Sequence, residues 1–293
     1  MIISQLSGGL GNQMFQYAAA QSLAWRLKTE CFVDTSAFKI NIRKYELNIF
    51  AIAPKIANFY EVPLNSYLNR VPGFSLIEPW IGNRNLHFIK IKKYKEMNDF
   101  TFDLEFNRLY GNIYLEGYFQ SEKYFKQFAS RIREGFNFKV PPTKHNVIIL
   151  DEIIKTNSVS VHIRRGDYIS DLETNQFHGT CPISYYENAF RLIKSQVKNP
   201  IFFVFSDDPE WTKKNITPPG DTKYIGHNLN DLAYEDMRLM SKCKHHIIAN
   251  SSFSWWGAWL NPNPQKIVVA PQKWLSSEKF VIRDLIPEYW HQL

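Results

Sequence analysis

"SVSVHIRRGDYI", Ser158 to Ile169, decides how the rest of the chain is read. Val159, Val161 and Ile163 alternate with Ser160 and His162, the period-two pattern of a strand. That strand runs into Arg164 and Arg165, then a glycine and an aspartate. Paired like charges repel unless something negative stands opposite, so the strand end implies an anionic partner. A guanidinium binds phosphate oxygens through two parallel hydrogen bonds and stays charged at any physiological pH. Two at one strand mouth suit a diphosphate. The competing reading is an ion pair with Asp167 or another acid, but one aspartate balances only one arginine. His162 shares a strand face with Arg164 and is either a ligand donor or a satisfied core histidine.

Working outward, strand-like and helix-like segments alternate. "PISYYENAFRLIKSQV" reads as a helix, "IFFVFSDD" as a strand, and "LAYEDMRLMSKC" as a helix. "HHIIANSS" follows as a strand, "SWWGAWLN" as a helix start, "KIVVAP" as a strand and "SSEKFVIRDLIPEYW" as a final helix. Such alternation predicts a parallel sheet wound by crossovers. The chain opens the same way: "MIISQL" as a strand, "SGGLG" as a turn, a helix with Phe15, Ala19, Leu23 and Leu27 at fourfold spacing, then "ECFVD". Residues 50–110 carry Pro54, Pro63, Pro72 and Pro79 and predict irregular structure or short helices. "GNIYLEGYFQSEKYF" predicts a buried strand and a helix start capped by Ser121. "NFKVPPTKHN" is the best linker. The expected division is therefore 1–145 and 146–293, with the last helix free to pack back on the first domain. A chain of 293 residues suits two domains.

Open parallel sheets bind ligands at the carboxyl ends of their strands, and three such ends are chemically loaded. In "SGGLGNQ", Gly9 and Gly11 allow close backbone approach, and Asn12 and Gln13 offer amides to sugar hydroxyls or phosphate. The pattern is neither a P-loop nor a full dinucleotide fingerprint, and a plain tight turn explains it equally. "FSDDPEW" supplies Asp207 and Asp208, either for nucleotide hydroxyls and base N–H groups or as caps of a helix starting near Pro209. "ANSSFSWWGAWL" places Asn250, Ser251, Ser252 and Phe253 at a helix start, an anion seat. Trp255, Trp256 and Trp259 read first as packing. No two aspartates stand two apart in the Asp-x-Asp pattern of many metal-using sugar transferases, so arginine is read in place of metal, and no cofactor is expected.

Bulk properties leave this reading open. The formal charge is +7 and the pI about 9.1, which permits an anionic partner without naming one. Lys and Arg are scattered, which disfavours nucleic acid. Cys31, Cys181 and Cys243 are too few and too far apart for a disulfide framework or zinc site. No secretion signal or membrane-spanning run is read. The expectation is a cytoplasmic protein, compatible with peripheral association on the inner face of a membrane. Oligomeric state is not legible.

"GGLGNQMFQYA", "VHIRRGDY", "FSDDPEW" and "NSSFSWWGAWL" resemble, in the same order, the α-1,2-fucosyltransferases of glycosyltransferase family 11. "LEGYFQSEKYF" contributes less. The resemblance implies a GT-B type fold, two Rossmann-like domains facing a cleft. It implies inverting, metal-independent transfer of fucose from GDP-fucose to the 2-hydroxyl of a galactose-terminated glycan, of the kind used in surface-glycan synthesis. The donor would sit on the C-terminal domain and the acceptor on the N-terminal one. It further implies that Arg164 binds the β-phosphate, His162 lies near the guanine, Asp236 binds the guanine, and Ser251 and Ser252 bond phosphate. Asn12 would reach toward the fucose and phosphate, and Arg165 is either phosphate-binding or structural. For the general base, Asp167, Asp171, His178 and Glu116 are all candidates, with no choice among them. Two rivals stay open: a transferase with another linkage, acceptor or GDP-sugar, and a non-catalytic carbohydrate- or nucleotide-binding protein.

Overall fold

The computed structural model describes residues 1–39, 43–52, 54–58, 62, 91–98, 100–166, 176–177, 179–277 and 282–293. The chain divides into two compact units, Met1–Lys139 with Val281–Leu285, and Val140–Phe280 with Ile286–Leu293. The division falls just before Pro141–Pro142, inside the stretch read as the linker and a few residues ahead of 145.

Unit 1 is built on a five-stranded parallel sheet. Its strands are β1 (Ile2–Gln5), β2 (Cys31–Asp34), β3 (Lys55–Ile56), β4 (Lys92–Lys95) and β5 (Ile113–Glu116), in the order β3-β2-β1-β5-β4. Helix α1 (Leu10–Arg26) crosses from β1 to β2. Its apolar stripe buries Phe15, Ala19 and Leu23, and Ala18, Ala20 and Ala24 let it lie close to the sheet. A shorter helix α2 (Ala129–Gly135) closes the unit. The expectation of irregular structure over 50–110 is corrected at β3 and β4. Both are edge strands with mostly exposed residues, so neither has the apolar run that marks a strand in sequence. Ser121 does cap, accepting from the Lys123 N–H, but the element is a single 3-10 turn, Glu122–Tyr124.

Unit 2 begins with helix α3 (Lys144–Lys155), whose Thr143 side chain caps it, and holds a six-stranded parallel sheet. The strands are β6 (Asn157–Ile163), β7 (Pro200–Ser206), β8 (Thr222–Ile225), β9 (His245–Ile247), β10 (Val268–Ala270) and β11 (His291–Gln292), in the order β11-β10-β9-β6-β7-β8. Crossovers include α4 (Ile183–Gln196), α5 (Pro209–Asn215), α6 (Tyr234–Lys242) and α7 (Ser252–Trp259). β6 lies between β9 and β7 and is buried from Ser158 to Ile163, as a strand covered on both faces must be. Val159, Val161, Ile163, Phe202, Val204, Ile247 and Val269 meet Tyr185, Ala189, Phe190 and Ile193 of α4 in one core. Trp255, Trp256 and Trp259 are wholly buried and pack on one another.

The final helix is a second correction. Among the described tail residues there are bends, one turn and β11, and no helix. Asp284 explains the local course: it accepts from the Phe102 N–H at 2.8 Å and from Lys123 Nζ at 2.7 Å. These contacts fix residues 282–285 within unit 1 as an irregular strap.

Candidate functional site

In unit 2, three neighbouring strands, β9, β6 and β7, end on the motif residues. β6 and β7 pair in register to Ile163↔Ser206, so the two arginines emerge beside the two aspartates. Arg164 Nη1 lies 2.9 Å from Asp207 Oδ2. The Arg165 N–H donates to Asp207 Oδ1 at 2.8 Å, and Arg165 Nε reaches Asp208 Oδ2 at 3.5 Å. The counting argument for a free positive charge is thereby corrected. Each arginine has its own aspartate, because the register delivers two acids where one was assumed. A side chain on Gly166 would stand 2.8 Å from Asp207 Oδ2, so glycine there keeps the Asp207 carboxylate in place.

The arginines differ in their surroundings. The Arg165 guanidinium lies 3.4 Å from the centroid of the Trp211 ring, a cation–π stack. Trp211 stands in the first turn of α5, and Asp208 caps that turn by accepting from the Trp211 N–H. Arg165, Asp208 and Trp211 thus form one closed unit, and capping is the role in which Asp208 is found. Arg164 is one-quarter exposed, with Asp207 steering it.

His162 is buried against Phe253, ring centroids 5.8 Å apart. Its Nδ1 is buried without a hydrogen-bond partner. Burial, reinforced by Arg164 and opposed by Asp207, lowers its pKa to about 4, so the ring is neutral near pH 7. Asp236, in the first turn of α6, accepts from Asn228 Nδ2 at 2.8 Å. Burial pushes its carboxyl up to about 7; the Asn228 bond opposes the shift and Glu235 adds to it. Asn228 is held in turn by Asn146 Nδ2 at 2.9 Å. Asn146 also bonds Glu235 and His227, and Glu235 pairs with Arg238.

Ser251 is the extended N-cap of α7, followed by half-buried Ser252 and Phe253. Asn250 does not fit the ligand-facing role expected of it. It is buried, and its amide donates to the carbonyls of Gly179 and Trp274, both at 3.1 Å.

In unit 1, Gly9 is the N-cap of α1, and Gly11 and Asn12 lie in its first turn. Gly8 has φ +74°, and a side chain there would come within 2.6 Å of Asn12 Nδ2. Asn12 Oδ1 accepts from Gln120 Nε2 at 2.7 Å. Gln13 is corrected as a ligand group. It is fully buried, donates to the Gly8 and Lys44 carbonyls, and accepts from the Glu46 N–H. Glu116 faces Lys93 at 2.6 Å and Lys95 at 3.7 Å across the β4–β5 pair. Asp167, Asp171 and His178 lie outside the described residues.

Sequence reading missed Gln16, Glu96, Gln120, Asn146, Asn228 and Trp211 as positioning groups. Only Gln16 and Trp211 carried a signal: a second amide three residues after Gln13, and an aromatic directly beyond "DDPE". Among the described residues, no three His, Cys, Asp or Glu side chains cluster as a metal site, and no helix is long and apolar enough to cross a membrane.

The sequence profile "Glycosyl transferase family 11" matches residues 1–291. An alpha-1,2-colitosyltransferase of Escherichia coli is 35% identical, covering 99% of this chain and 98% of its own. The O-antigen biosynthesis glycosyltransferase WbnK of Escherichia coli is 34% identical, over 93% and 94%. Galactoside alpha-(1,2)-fucosyltransferase 1 of Bos taurus is 26% identical over 86% of this chain and 64% of its own length. The crystal structure of fucosyltransferase NodZ from Bradyrhizobium superimposes with a TM-score of 0.51 at 14% identity, covering 89% of this chain and 93% of that one. The two parallel-sheet units are the two Rossmann-like domains of the GT-B type.

Proposed function

The chain belongs to glycosyltransferase family 11, and from that premise we propose that it transfers L-fucose from GDP-fucose to the 2-hydroxyl of a terminal galactose, with inversion and without metal. One observation carries the reading. Three adjacent parallel strands bring Ser251, Arg164 and Asp207 to one carboxyl edge, where open α/β sheets take nucleotides. Arg164 is the group for the β-phosphate, and Ser251 and Ser252 at the start of α7 are the second seat. Arg165 holds the α5 start instead. The neutral His162, with an unpartnered buried nitrogen, and the Asp236 carboxyl are the groups for the guanine.

The donor carries a β-linked fucose, so a single displacement from the opposite face gives an α-linkage. As the glycosidic bond breaks, negative charge grows on the leaving phosphate. Arg164 N–H groups fixed by Asp207 stabilise that charge more in the transition state than in the ground state. Unit 1 carries the acceptor, and Asn12, in the first turn of α1, is the amide that serves it there. The product suits surface-glycan assembly on the inner face of a membrane.

A second reading has its own support. The relative that is 35% identical along nearly the whole chain is named a colitosyltransferase, and colitose is the 3-deoxy form of L-fucose. The same phosphate and guanine contacts serve both donors. The test is a transfer assay with lactose and GDP-fucose, GDP-colitose or GDP-mannose, with and without EDTA, read by product mass and linkage. A 2-linked fucosyl-galactose formed despite EDTA supports the first reading. Preference for GDP-colitose supports the second, and no transfer from either donor overturns both.

A further inference from the structure

The stretch "LEGYFQSEKYF" is left without a task by the donor site. β5 pairs directly with β1, so the turn that follows β5, Gly117–Ser121, opens at the same carboxyl edge as the "SGGLGN" turn that follows β1. It is held unusually firmly. Glu96, nearly buried, accepts the N–H groups of Tyr118 and Phe119 with one carboxylate oxygen, both at 2.8 Å. Gln16 Nε2 donates to the Gly117 carbonyl at 3.0 Å and to Ser7 Oγ at 3.1 Å, tying this turn to the one after β1. Gln120 Nε2 donates to Asn12 Oδ1. Gly117 has φ +154°, and a side chain there would stand 2.4 Å from Glu96 Cβ. Phe119 adopts φ +52°, a conformation that a bulky L-residue takes only when its surroundings impose it.

This strained, strapped turn hides all its side chains but one. Phe119 and Ser121 are fully buried and Gln120 nearly so, whereas Tyr118 is 38% exposed. Backbone strain and a buried carboxylate spent on two N–H groups cluster where surrounding structure over-determines a functional geometry. Behind Tyr118, the Gln120 and Asn12 side-chain amides are bonded to one another, Gln120 nearly buried and Asn12 half-buried, so that Asn12 Nδ2 and Gln120 Oε1 are the polar ends of that pair. An aromatic ring with an amide pair is the chemistry that recognises a pyranose: the ring covers its C–H face and the amides take its hydroxyls.

We propose that the Tyr118–Gln120 turn, with Asn12, is a binding surface for the neutral terminal sugar of the acceptor, Tyr118 supplying the stacking face. This rests on the reading that the acceptor is a galactoside bound by unit 1. The test uses the full chain as wild type, Tyr118→Ala and Tyr118→Phe, with folding checked by circular dichroism. Lactose binding is followed by saturation-transfer NMR, and transfer kinetics with GDP-fucose and lactose are measured alongside. Tyr118→Ala is expected to raise the lactose KM about tenfold or more and to remove the NMR signal. It should leave the GDP-fucose KM and acceptor-independent GDP release within twofold. Tyr118→Phe is expected to stay near wild type. An unchanged lactose KM in Tyr118→Ala, or an equal rise in both KM values, overturns the inference while leaving the fucosyltransferase reading intact. If the wild type transfers to no galactoside, that reading fails and the NMR arm decides alone. A lactose signal lost in Tyr118→Ala and kept in Tyr118→Phe supports the surface; no signal, or the same signal in all three, overturns it.

Discussion

Asp236 shows how one residue's surroundings set its charge, and with it a test of the proposed guanine contact. Its carboxyl sits near 7 because burial penalises the charge more than the single Asn228 donor relieves it. A guanine offers two N–H donors and so prefers the ionised acid. The sign follows directly: below about pH 7 the free carboxyl must lose a proton before it can accept. GDP affinity should therefore weaken toward tenfold per pH unit on going from 7 to 5, and level off above about 8. Asp236→Asn should bind GDP more weakly at pH 8 and lose most of that slope, as titration calorimetry across pH would show. None of this is legible in "YEDMRL", because Asn228 and Asn146 reach α6 from elsewhere in the chain. The arginine–aspartate pairing was half legible. "RRGD" and "FSDDP" each announced charge, but only the register of β6 on β7 shows that they answer one another.

Among elements, the start of α1 is the most exacting. Gly8 occupies the left-handed region and packs against Asn12, so Gly8→Ala meets both backbone strain of about 1–2 kcal/mol and a clash with the Asn12 amide. A melting temperature lower by roughly 2–6 °C is expected, with transfer activity falling further than stability alone explains because Asn12 is displaced. Activity and melting curves on one preparation check it; a variant matching wild type in both would remove the Asn12 role. Elements with a buried apolar face, such as α1, β6, β7 and α4, were legible from period alone. β3 and β4 were not, since edge strands are mostly solvent-facing and β4 is largely lysine. Helix α3 was hidden beneath the linker reading, although Thr143 is a good cap. The tail resembles a helix in composition, but the Asp284 contacts hold it irregular.

For the molecule as a whole, two parallel-sheet units follow from strand–helix alternation on either side of Pro141–Pro142, which is why the fold was readable from sequence. Chemical identity was less so. The motifs mark the carboxyl edges, yet Gln13 and Asn250, which look like ligand groups in sequence, turn out to bond backbone carbonyls, most of them distant in the chain. Amide side chains serve ligand and loop with the same atoms, and only burial and partners distinguish them. The central claim is that the carboxyl edge of unit 2 is a nucleoside-diphosphate site with Arg164 on the β-phosphate. The measurement that tests it most directly is calorimetric titration of wild type and Arg164→Ala with GDP and with GMP. Wild type should bind GDP more tightly than GMP, and Arg164→Ala should weaken GDP by roughly ten- to a hundredfold while leaving GMP nearly unchanged. Equal GDP affinity in the two proteins, with their circular dichroism alike, would contradict the assignment.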